Sequence, residues 1–312
     1  MIETIGIDHG FKNMKTAHHV FPTALTKLSS KPDDLSEVIE YNGQYYTLNG
    51  SSLVSVDNHD KIQNLDFYIL TLAAIAKELK TRNGKQTQTI RIAAGLPQKW
   101  YLSQKQDFKK YLSKESIARF EYEGNRYKIE IVNVNVFAQG YAAALQKLAS
   151  YKGKYFVIVD IGGETVDIIP VRDGRPIETE CKIDLHGCIW LLNEIKEAIE
   201  SKLMKTVPVS VIQEYILSHT KEYAPENSYE KIFQEELQNY GELIFTRLRE
   251  FKIDPEFVPI VFLGGGAEII HRYGRYQSCE KNIDFVLDIC ANAKGFEMID
   301  KMRVLQAEKG KK

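Results

Sequence analysis

Cysteine is scarce in this chain, and its pattern excludes two common kinds of structural site. The four cysteines, Cys181, Cys188, Cys279 and Cys290, lack the CxxC spacing of zinc sites. Four cysteines among 312 residues are also too few for a disulfide scaffold. We expect reduced thiols in the core or at the surface.

A strong charge of one sign is also missing. The sequence has 41 basic and 42 acidic residues, which leaves a formal net charge of −1. Lysine and arginine are interleaved with glutamate and aspartate, whereas a direct DNA binder usually carries a basic face. We expect no direct nucleic-acid contact, so any DNA partner would be reached through another protein.

Long hydrophobic runs do not occur either. The sequence contains no stretch of 18 apolar residues, and the N-terminus lacks a basic segment followed by an apolar one. We therefore expect no membrane contact and a cytoplasmic location.

What the chain does contain is a series of clear local patterns. Asn42-Gly43 predicts a hairpin, and FEYEGNRYKIEIVNV predicts a second one that turns at Gly124-Asn125. The apolar spacing in VFAQGYAAALQKLAS predicts a helix over 136–150, and that from Tyr229 to Phe251 predicts a long amphipathic helix. A length of 312 residues suggests about two domains.

Three glycine turns each follow an apolar strand. They are Asp8-His9-Gly10, Asp160-Ile161-Gly162-Gly163 and Gly264-Gly265-Gly266. Such turns lie at the carboxyl ends of strands, where open α/β sheets bind ligands, and glycine lets backbone N–H groups approach phosphate oxygens. Because a carboxylate would repel phosphate, Asp8 and Asp160 predict a Mg²⁺ ion held between them and the phosphates through water.

The order of these motifs resembles that of the actin, sugar-kinase and heat-shock ATPase superfamily, and within it the plasmid-segregation actins of the ParM (StbA) type. Further segments that resemble this branch are Gly95-Leu96-Pro97 and NAKGF at 292–296. The first loop of the family, D-x-G-x-x-N-x-K, is matched by Asp8, Gly10, Asn13 and Lys15. The second, D-x-G-G-x-T-x-D, is matched by Asp160, Gly162, Gly163, Thr165 and Asp167.

This resemblance implies an α/β actin-like ATPase fold in which two related domains with mixed central sheets surround a nucleotide cleft. Domain I would span 1–150, with a small subdomain inserted at about 22–90 and a C-terminal helix at 283–312. Domain II would span 151–282. It also implies that Lys15 neutralises phosphate charge and that Gly264, Gly265 and Gly266 contact the nucleoside and α-phosphate.

Two positions depart from the family. The first turn usually carries Ser or Thr, where this chain has Phe11 and Lys12. Lys12 either adds positive charge at the phosphates or is solvated. The family also places a water-orienting Gln or Glu six residues before an aromatic. That position is Asn135, counted from Tyr141, with Gln139 as the alternative, unless Asn135 merely ends a strand and Gln139 is a surface residue.

The function implied by the resemblance is that of a polymerising ATPase whose filaments segregate plasmid DNA, with ATP or GTP and Mg²⁺ as cofactors. Its partners would be further copies in a head-to-tail filament and a DNA-binding adaptor on a centromere-like plasmid site. The alternatives are a non-polymerising actin-like ATPase and a sugar-kinase-type phosphotransferase. The latter needs a further catalytic Asp, and we find none in a suitable strand–turn–helix context.

Overall fold

The computed structural model describes residues 2–10, 12–49, 64–218 and 226–309. The chain divides into two units. Unit 1 comprises Met1–Ala143 and Cys290–Lys312, and unit 2 comprises Ala144–Ile289. The sequence placed the corresponding boundaries at 150 and 283.

Unit 1 is built on a nine-stranded mixed sheet. Its strands follow the order β3-β2-β1-β7-β9-β8-β5-β6-β4, in which β1, β7 and β9 are mutually parallel and the other neighbours antiparallel. The elements are β1 (Glu3–His9), β2 (Asn13–Lys15), β3 (Val20–Pro22), β4 (Thr26–Lys27), β5 (Val38–Tyr41), β6 (Gln44–Thr47), α1 (Leu65–Thr81), β7 (Thr87–Leu96), α2 (Gln98–Leu112), β8 (Ile117–Tyr122) and β9 (Asn125–Ala138).

Burial explains why the strands and helices of unit 1 form where they do. From Thr4 to His9, β1 is buried at every residue, as expected for a strand in the middle of the sheet with a parallel neighbour. Helix α1 is apolar around most of its circumference, and most of its residues are buried. The helix is capped by Asn64, the residue just before Leu65, and the Asn64 side chain accepts a hydrogen bond from the amide of Asp66.

Unit 2 contains a second mixed sheet, in the order β12-β11-β10-β14-β15, with β13 also paired to β11. Strands β10, β14 and β15 are parallel, and β11 is antiparallel to β10. The elements are α3 (Leu145–Leu148), β10 (Tyr155–Ile161), β11 (Val166–Arg172), β12 (Arg175–Pro176), β13 (Lys182–Asp184), α4 (Cys188–Leu203), α5 (Val209–Ser218), α6 (Ser228–Glu250), β14 (Ile260–Leu263), α7 (Ala267–Tyr273) and β15 (Ile283–Val286).

The last helix belongs to unit 1. Helix α8 (Ala291–Lys309) packs on β1 and β7, so the end of the chain covers its first strand. The helix predicted from 283 is wrong in its first part, because Ile283–Val286 pairs with β14 as a strand. A short, mostly apolar run such as IDFV is compatible with a helix or a strand. Here the segment forms a strand because it pairs with β14 at the edge of the sheet. Residues 310–312 lie outside the described residues.

Several local predictions can be compared directly with the structure. The turn at Asn42-Gly43 is confirmed, with φ of 52° and 77° as a two-residue hairpin of this type requires. The long helix predicted from Tyr229 is confirmed as α6. The second hairpin turns at Glu123-Gly124, one residue earlier than predicted, because Tyr122 pairs with Asn125.

The helix predicted over 136–150 is wrong. Strand β9 continues to Ala138, residues 139–144 form turns, and only Leu145–Leu148 are α-helical. Pairing with β7 holds the first part extended, since Leu96 and Ala138 are still in register, and Gly140 has φ of 73°. Phe137, near the start of the predicted helix, instead lies in β9 and stacks on Phe296 of α8.

The predicted small subdomain at about 22–90 supplies strands to the same sheet as β1, namely β4, β5, β6 and part of β7. Its residues 50–63 lie outside the described residues. Within the described ranges, no helix combines the length and the apolar character needed to cross a membrane.

Candidate functional site

The first loop, residues 8–15, joins β1 to β2 as a tight hairpin. Asp8 pairs with Lys15 in the antiparallel register, and His9 pairs with Met14. Lys15 Nζ therefore lies 3.5 Å from Asp8 Oδ2, with 4% of the Asp8 side chain and 18% of the Lys15 side chain exposed. The hairpin thus presents a carboxylate and an ammonium group side by side at the carboxyl end of β1.

Gln139 is the third member of this group. Its Nε2 donates a hydrogen bond of 2.6 Å to Asp8 Oδ1. Gln139 directly follows β9, and its backbone amide donates to the carbonyl of Leu96 at the end of β7. Because β1, β7 and β9 are parallel neighbours, their carboxyl ends bring residues 131 positions apart into contact.

The turn of the first loop is anchored from β3. Thr23, just after β3, donates through Oγ1 to the carbonyl of Gly10 and through its amide to the carbonyl of Lys12. Asn13 begins β2 and pairs with Pro22. These bonds fix the backbone of Gly10, Lys12 and Asn13. Phe11 lies outside the described residues.

His9 was not identified from the sequence as part of this loop's support. Its ring is fully buried, packs edge-on against Phe108, and has Nε2 2.8 Å from Thr71 Oγ1. Thr71 donates its single hydroxyl proton to the carbonyl of Phe67, so His9 Nε2 must be the donor in the first contact. His9 therefore ties the first loop to α1 and α2.

Asn135 lies elsewhere. It is within β9, opposite Ala93 of β7, and its amide donates to the buried carboxylate of Asp300 in α8. Thr4 and Arg91 donate to the same carboxylate, at 2.8 and 2.9 Å. Burial alone would raise the pKa of Asp300, but these hydrogen bonds lower it below its ordinary value. Asn135 thus contacts α8, whereas Gln139 contacts Asp8.

The second loop, residues 160–167, repeats the hairpin in unit 2. Asp160 pairs with Asp167 across β10 and β11, and Ile161 pairs with Val166. Within the turn, the amide of Gly162 donates to the carbonyl of Thr165, and Thr165 Oγ1 lies 3.4 Å from Asp167 Oδ2. The predicted residues of this loop therefore form one compact turn.

The start of α4 is docked on the second loop. The carbonyls of Gly162, Gly163 and Glu164 accept hydrogen bonds from the amides of Cys188, Ile189 and Gly187. Three orphan donors at the beginning of α4 are thereby satisfied by the loop. The loop backbone is consequently oriented with these three carbonyls directed at the helix.

The third turn, residues 264–266, packs directly on the second loop. Gly264 has φ of 87°, and a Cβ there would overlap Asp160 Oδ1 and the carbonyl of Ile161. The amide of Gly266 donates to the same carbonyl at 3.0 Å. By contrast, a Cβ on Gly265 would meet no atom within 4 Å, so the turn is open on that side.

Two families of actin-like proteins match the sequence of this chain, one in each unit. Residues 6–141 match the family described as actin like proteins N terminal domain, and residues 158–273 match the archaeal actin homologue MreB-like C-terminal family. The chain is composed of two actin-like domains. The α/β actin-like fold predicted from the sequence is confirmed, with two mixed sheets and surrounding helices.

Solved actin-like structures resemble the chain over nearly its whole length. The archaeal actin homologue Ta0583 covers 96% of this chain and 100% of its own, at 18% identity and a TM-score of 0.78. Its complex with ADP gives a TM-score of 0.75 at 17% identity, covering 97% and 100% of the two chains. A 15-stranded ParM filament from Clostridium botulinum gives 0.71 at 18% identity, with 97% and 100% covered. At such identities the likeness shows the fold alone, and no curated protein sequence matches the chain.

The two other segments noted in the sequence have packing roles within this actin-like fold. A Cβ on Gly95 would overlap the ring of Phe296, so the glycine of Gly95-Leu96-Pro97 makes room for the last residue of the NAKGF segment. Asn292 of that segment accepts a hydrogen bond from the amide of Gly140 at 2.9 Å. Both segments therefore position the backbone beside Gln139.

Proposed function

We propose that the chain is a nucleotide-dependent actin-like ATPase that polymerises into filaments and segregates plasmid DNA. The observation that supports this most strongly is the grouping of Asp8, Lys15 and Gln139 at the end of β1. A similar strand–Asp–Gly–strand loop at Asp160 occurs in the other unit. The substrate would be ATP or GTP with Mg²⁺.

The charges of the first loop suit a phosphate and its metal ion. Asp8 alone would repel phosphate, but Lys15 lies across the hairpin and supplies a compensating positive charge. Lys12 could add a second positive charge from the turn.

These residues can hold Mg²⁺ only together with a bound nucleotide, whose phosphates would supply further ligands. No cluster of three or more His, Cys, Asp or Glu side chains that could hold a metal occurs in the described part of the chain. One or two carboxylates with phosphates and water are the usual Mg²⁺ ligands beside a nucleotide, and Asp8 and Asp160 would supply the carboxylates. Bound there, the ion would neutralise charge that develops on the transferred phosphoryl group.

Gln139 is the residue we propose for orienting the attacking water. Its Nε2 is committed to Asp8, which leaves its amide oxygen as the group able to accept a hydrogen bond from water. Asn135, within β9, donates its amide hydrogen bond to Asp300 of α8 and is a positioning residue for that helix in this proposal. An amide is a poor base, so its contribution is orientation within the transition state.

The second loop and third turn complete the proposed nucleotide contacts. Gly162, Gly163 and Thr165 would face phosphate oxygens, and the turn at 264–266 would contact the nucleoside and α-phosphate. The open space above Gly265 is consistent with a bulky group there. ADP is bound in one structure of the archaeal homologue Ta0583.

Polymerisation and DNA segregation are the further parts of the proposal. Filament structures of Alp12 and of a ParM resemble this chain in fold. We propose that nucleotide binding permits a head-to-tail contact between copies and that hydrolysis weakens it. Such a heterologous contact gives an open filament. A DNA-binding adaptor on a centromere-like plasmid site would connect the filament to DNA.

The deciding experiment combines hydrolysis and assembly. Light scattering, sedimentation and electron microscopy should show filaments on addition of Mg-ATP or Mg-GTP, with phosphate release following assembly. Asp160→Asn should abolish hydrolysis, whereas Asp173→Asn, at another Asp-Gly turn of unit 2, should not. Wild-type protein that binds nucleotide yet stays monomeric with both nucleotides would favour the non-polymerising alternative.

A further inference from the structure

The two units carry opposite net charge, although the whole chain is nearly neutral. Unit 1 contains 24 Lys and Arg against 18 Asp and Glu, a formal charge of +6. Unit 2 contains 17 Lys and Arg against 24 Asp and Glu, a formal charge of −7. Two copies therefore attract when unit 1 of one meets unit 2 of the other, and repel when like units meet.

The exposed face of α8 carries an apolar stripe beside basic side chains, and one acidic residue, Glu308, is exposed near the end of the helix. Met298, Met302 and Leu305 are 38%, 51% and 51% exposed, and their spacing of four and three residues places them on one face. Lys301 lies beside this stripe, with 55% of its side chain exposed and its Nζ 3.1 Å from Glu297 Oε2 of the preceding turn. Glu297 and Asp300 point inward and are buried. An exposed apolar stripe of this kind is typical of an interaction surface.

A groove of about 380 Å³ in unit 2 is apolar and acidic, and so complements the apolar and basic stripe of α8. It lies between α5 and α6. Among the described residues that line it there are two glutamates and no lysine or arginine. Its principal side chains are Val207, Val211, Tyr215, Phe233, Glu214 and Glu230. Val211 is 45% exposed and Glu214 is exposed, so both apolar surface and negative charge are accessible.

We propose that the Met298–Met302–Leu305 stripe of α8 docks in the α5–α6 groove of a second copy, with Lys301 facing Glu214. The stripe is about 10 Å long at 1.5 Å per residue, so its apolar side chains can enter one groove together. Stripe and groove lie on different units and are not self-complementary, so the contact is heterologous and can propagate. This inference rests on the proposed function, because it names a surface for the self-assembly proposed above.

Charge-reversal substitutions test the proposed contact between Lys301 of one copy and Glu214 of the other. Lys301→Glu and Glu214→Lys each replace the attraction between these two side chains by repulsion. Each variant should therefore raise the critical concentration for assembly, measured by sedimentation with Mg-nucleotide, about two- to tenfold, as expected for an exposed ion pair. The double variant should return to within about twofold of the wild type. Lys110→Glu is the control, since it makes the same charge change in unit 1 at a residue that is 80% exposed. Single variants that behave like this control would overturn the proposal.

Apolar substitution tests the stripe itself. Met302→Asp should raise the critical concentration about tenfold or more, because it removes a buried apolar contact and places a carboxylate beside acidic side chains. Leu102→Asp, at a residue 66% exposed on α2, is the control. Unchanged assembly together with lost binding of a DNA-bound adaptor would assign the stripe to the adaptor and overturn the proposal.

Crosslinking separates this proposal from the proposed function. One population carries Met302→Cys and another Val211→Cys, and a short bismaleimide is added to the mixture. A dimer should form above the background given by the wild type with its four native cysteines, and 1 M salt should lower its yield by screening Lys301 from Glu214. No dimer above that background would overturn the docking even if filaments form. A mixed dimer without filaments would support the docking while the proposed polymerisation fails.

Discussion

Replacing Glu78 by Gln should remove the buried carboxylate that ties the turn after β2 to α1. Its Oε1 accepts hydrogen bonds from Thr16 Oγ1 at 2.5 Å and from the amide of His18 at 2.8 Å. Its Oε2 accepts one from Arg82 Nε at 2.6 Å. Thr16 directly follows Lys15, so this carboxylate also holds the strand that returns from the first loop.

The magnitude follows from the pKa of Glu78. Burial alone would raise that pKa, but the bonds from Thr16, His18 and Arg82 lower it from 4.5 to about 2. At about 1.4 kcal/mol per pKa unit, this corresponds to about 3 kcal/mol of unfolding free energy. Because the folded-state pKa is the lower one, the stabilisation is fully present above pH 4.5 and is lost as the pH falls towards 2.

The assay is urea denaturation of Glu78→Gln and the parent between pH 7 and pH 3. Both proteins carry Trp190→Phe, so that fluorescence of Trp100, the other of the two tryptophans, reports unit 1. The variant should be less stable by about 3 kcal/mol at pH 7, and the difference should shrink below pH 4.5. Glu130→Gln, at an exposed position of β9, should change stability by about 0.5 kcal/mol or less. A difference under about 1 kcal/mol at pH 7, or one that stays constant down to pH 3, would refute this reasoning.

Three further outcomes are expected. In single-turnover assays, Gln139→Ala should slow hydrolysis about 10- to 1,000-fold with little change in nucleotide affinity, whereas Asn135→Ala should instead lower stability by about 1–3 kcal/mol. Equal hydrolysis rates for Gln139→Ala and the wild type would contradict the assignment. Gly264→Ala should destabilise unit 2 and weaken nucleotide binding in calorimetry, while Gly265→Ala, with open space at its Cβ, should retain the wild-type thermal midpoint. Lys15→Ala should weaken ATP binding about tenfold or more, and wild-type affinity in this variant would remove Lys15 from the site.

The glycine loops could be predicted from the sequence because each depends on neighbouring residues. A hairpin places Asp8 opposite Lys15 once its turn is known, and the spacing of the motif already contains that turn. The same holds for Asp160 and Asp167. Local patterns were sufficient for these pairs because a short chain segment fixes the distance between their members.

The contact between Asp8 and Gln139 could not be predicted in this way. It depends on the order of β1, β7 and β9 in the sheet, which no local pattern reveals. The choice between Asn135 and Gln139 turned on the same fact. The pattern over 136–150 favoured a helix, but pairing with β7 overrode it and left Gln139 at the end of a strand.

The return of α8 to β1 has a consequence for the order of folding during synthesis. Thr4 and Asp300 form a buried hydrogen bond across 296 positions, and the amide of Gly6 donates to Glu297. Unit 2 is continuous in sequence and can fold once residue 289 has emerged from the ribosome, whereas unit 1 also needs α8. Strand β1 is thus synthesised before unit 2 but covered only after it. Chaperone protection should matter most for this strand.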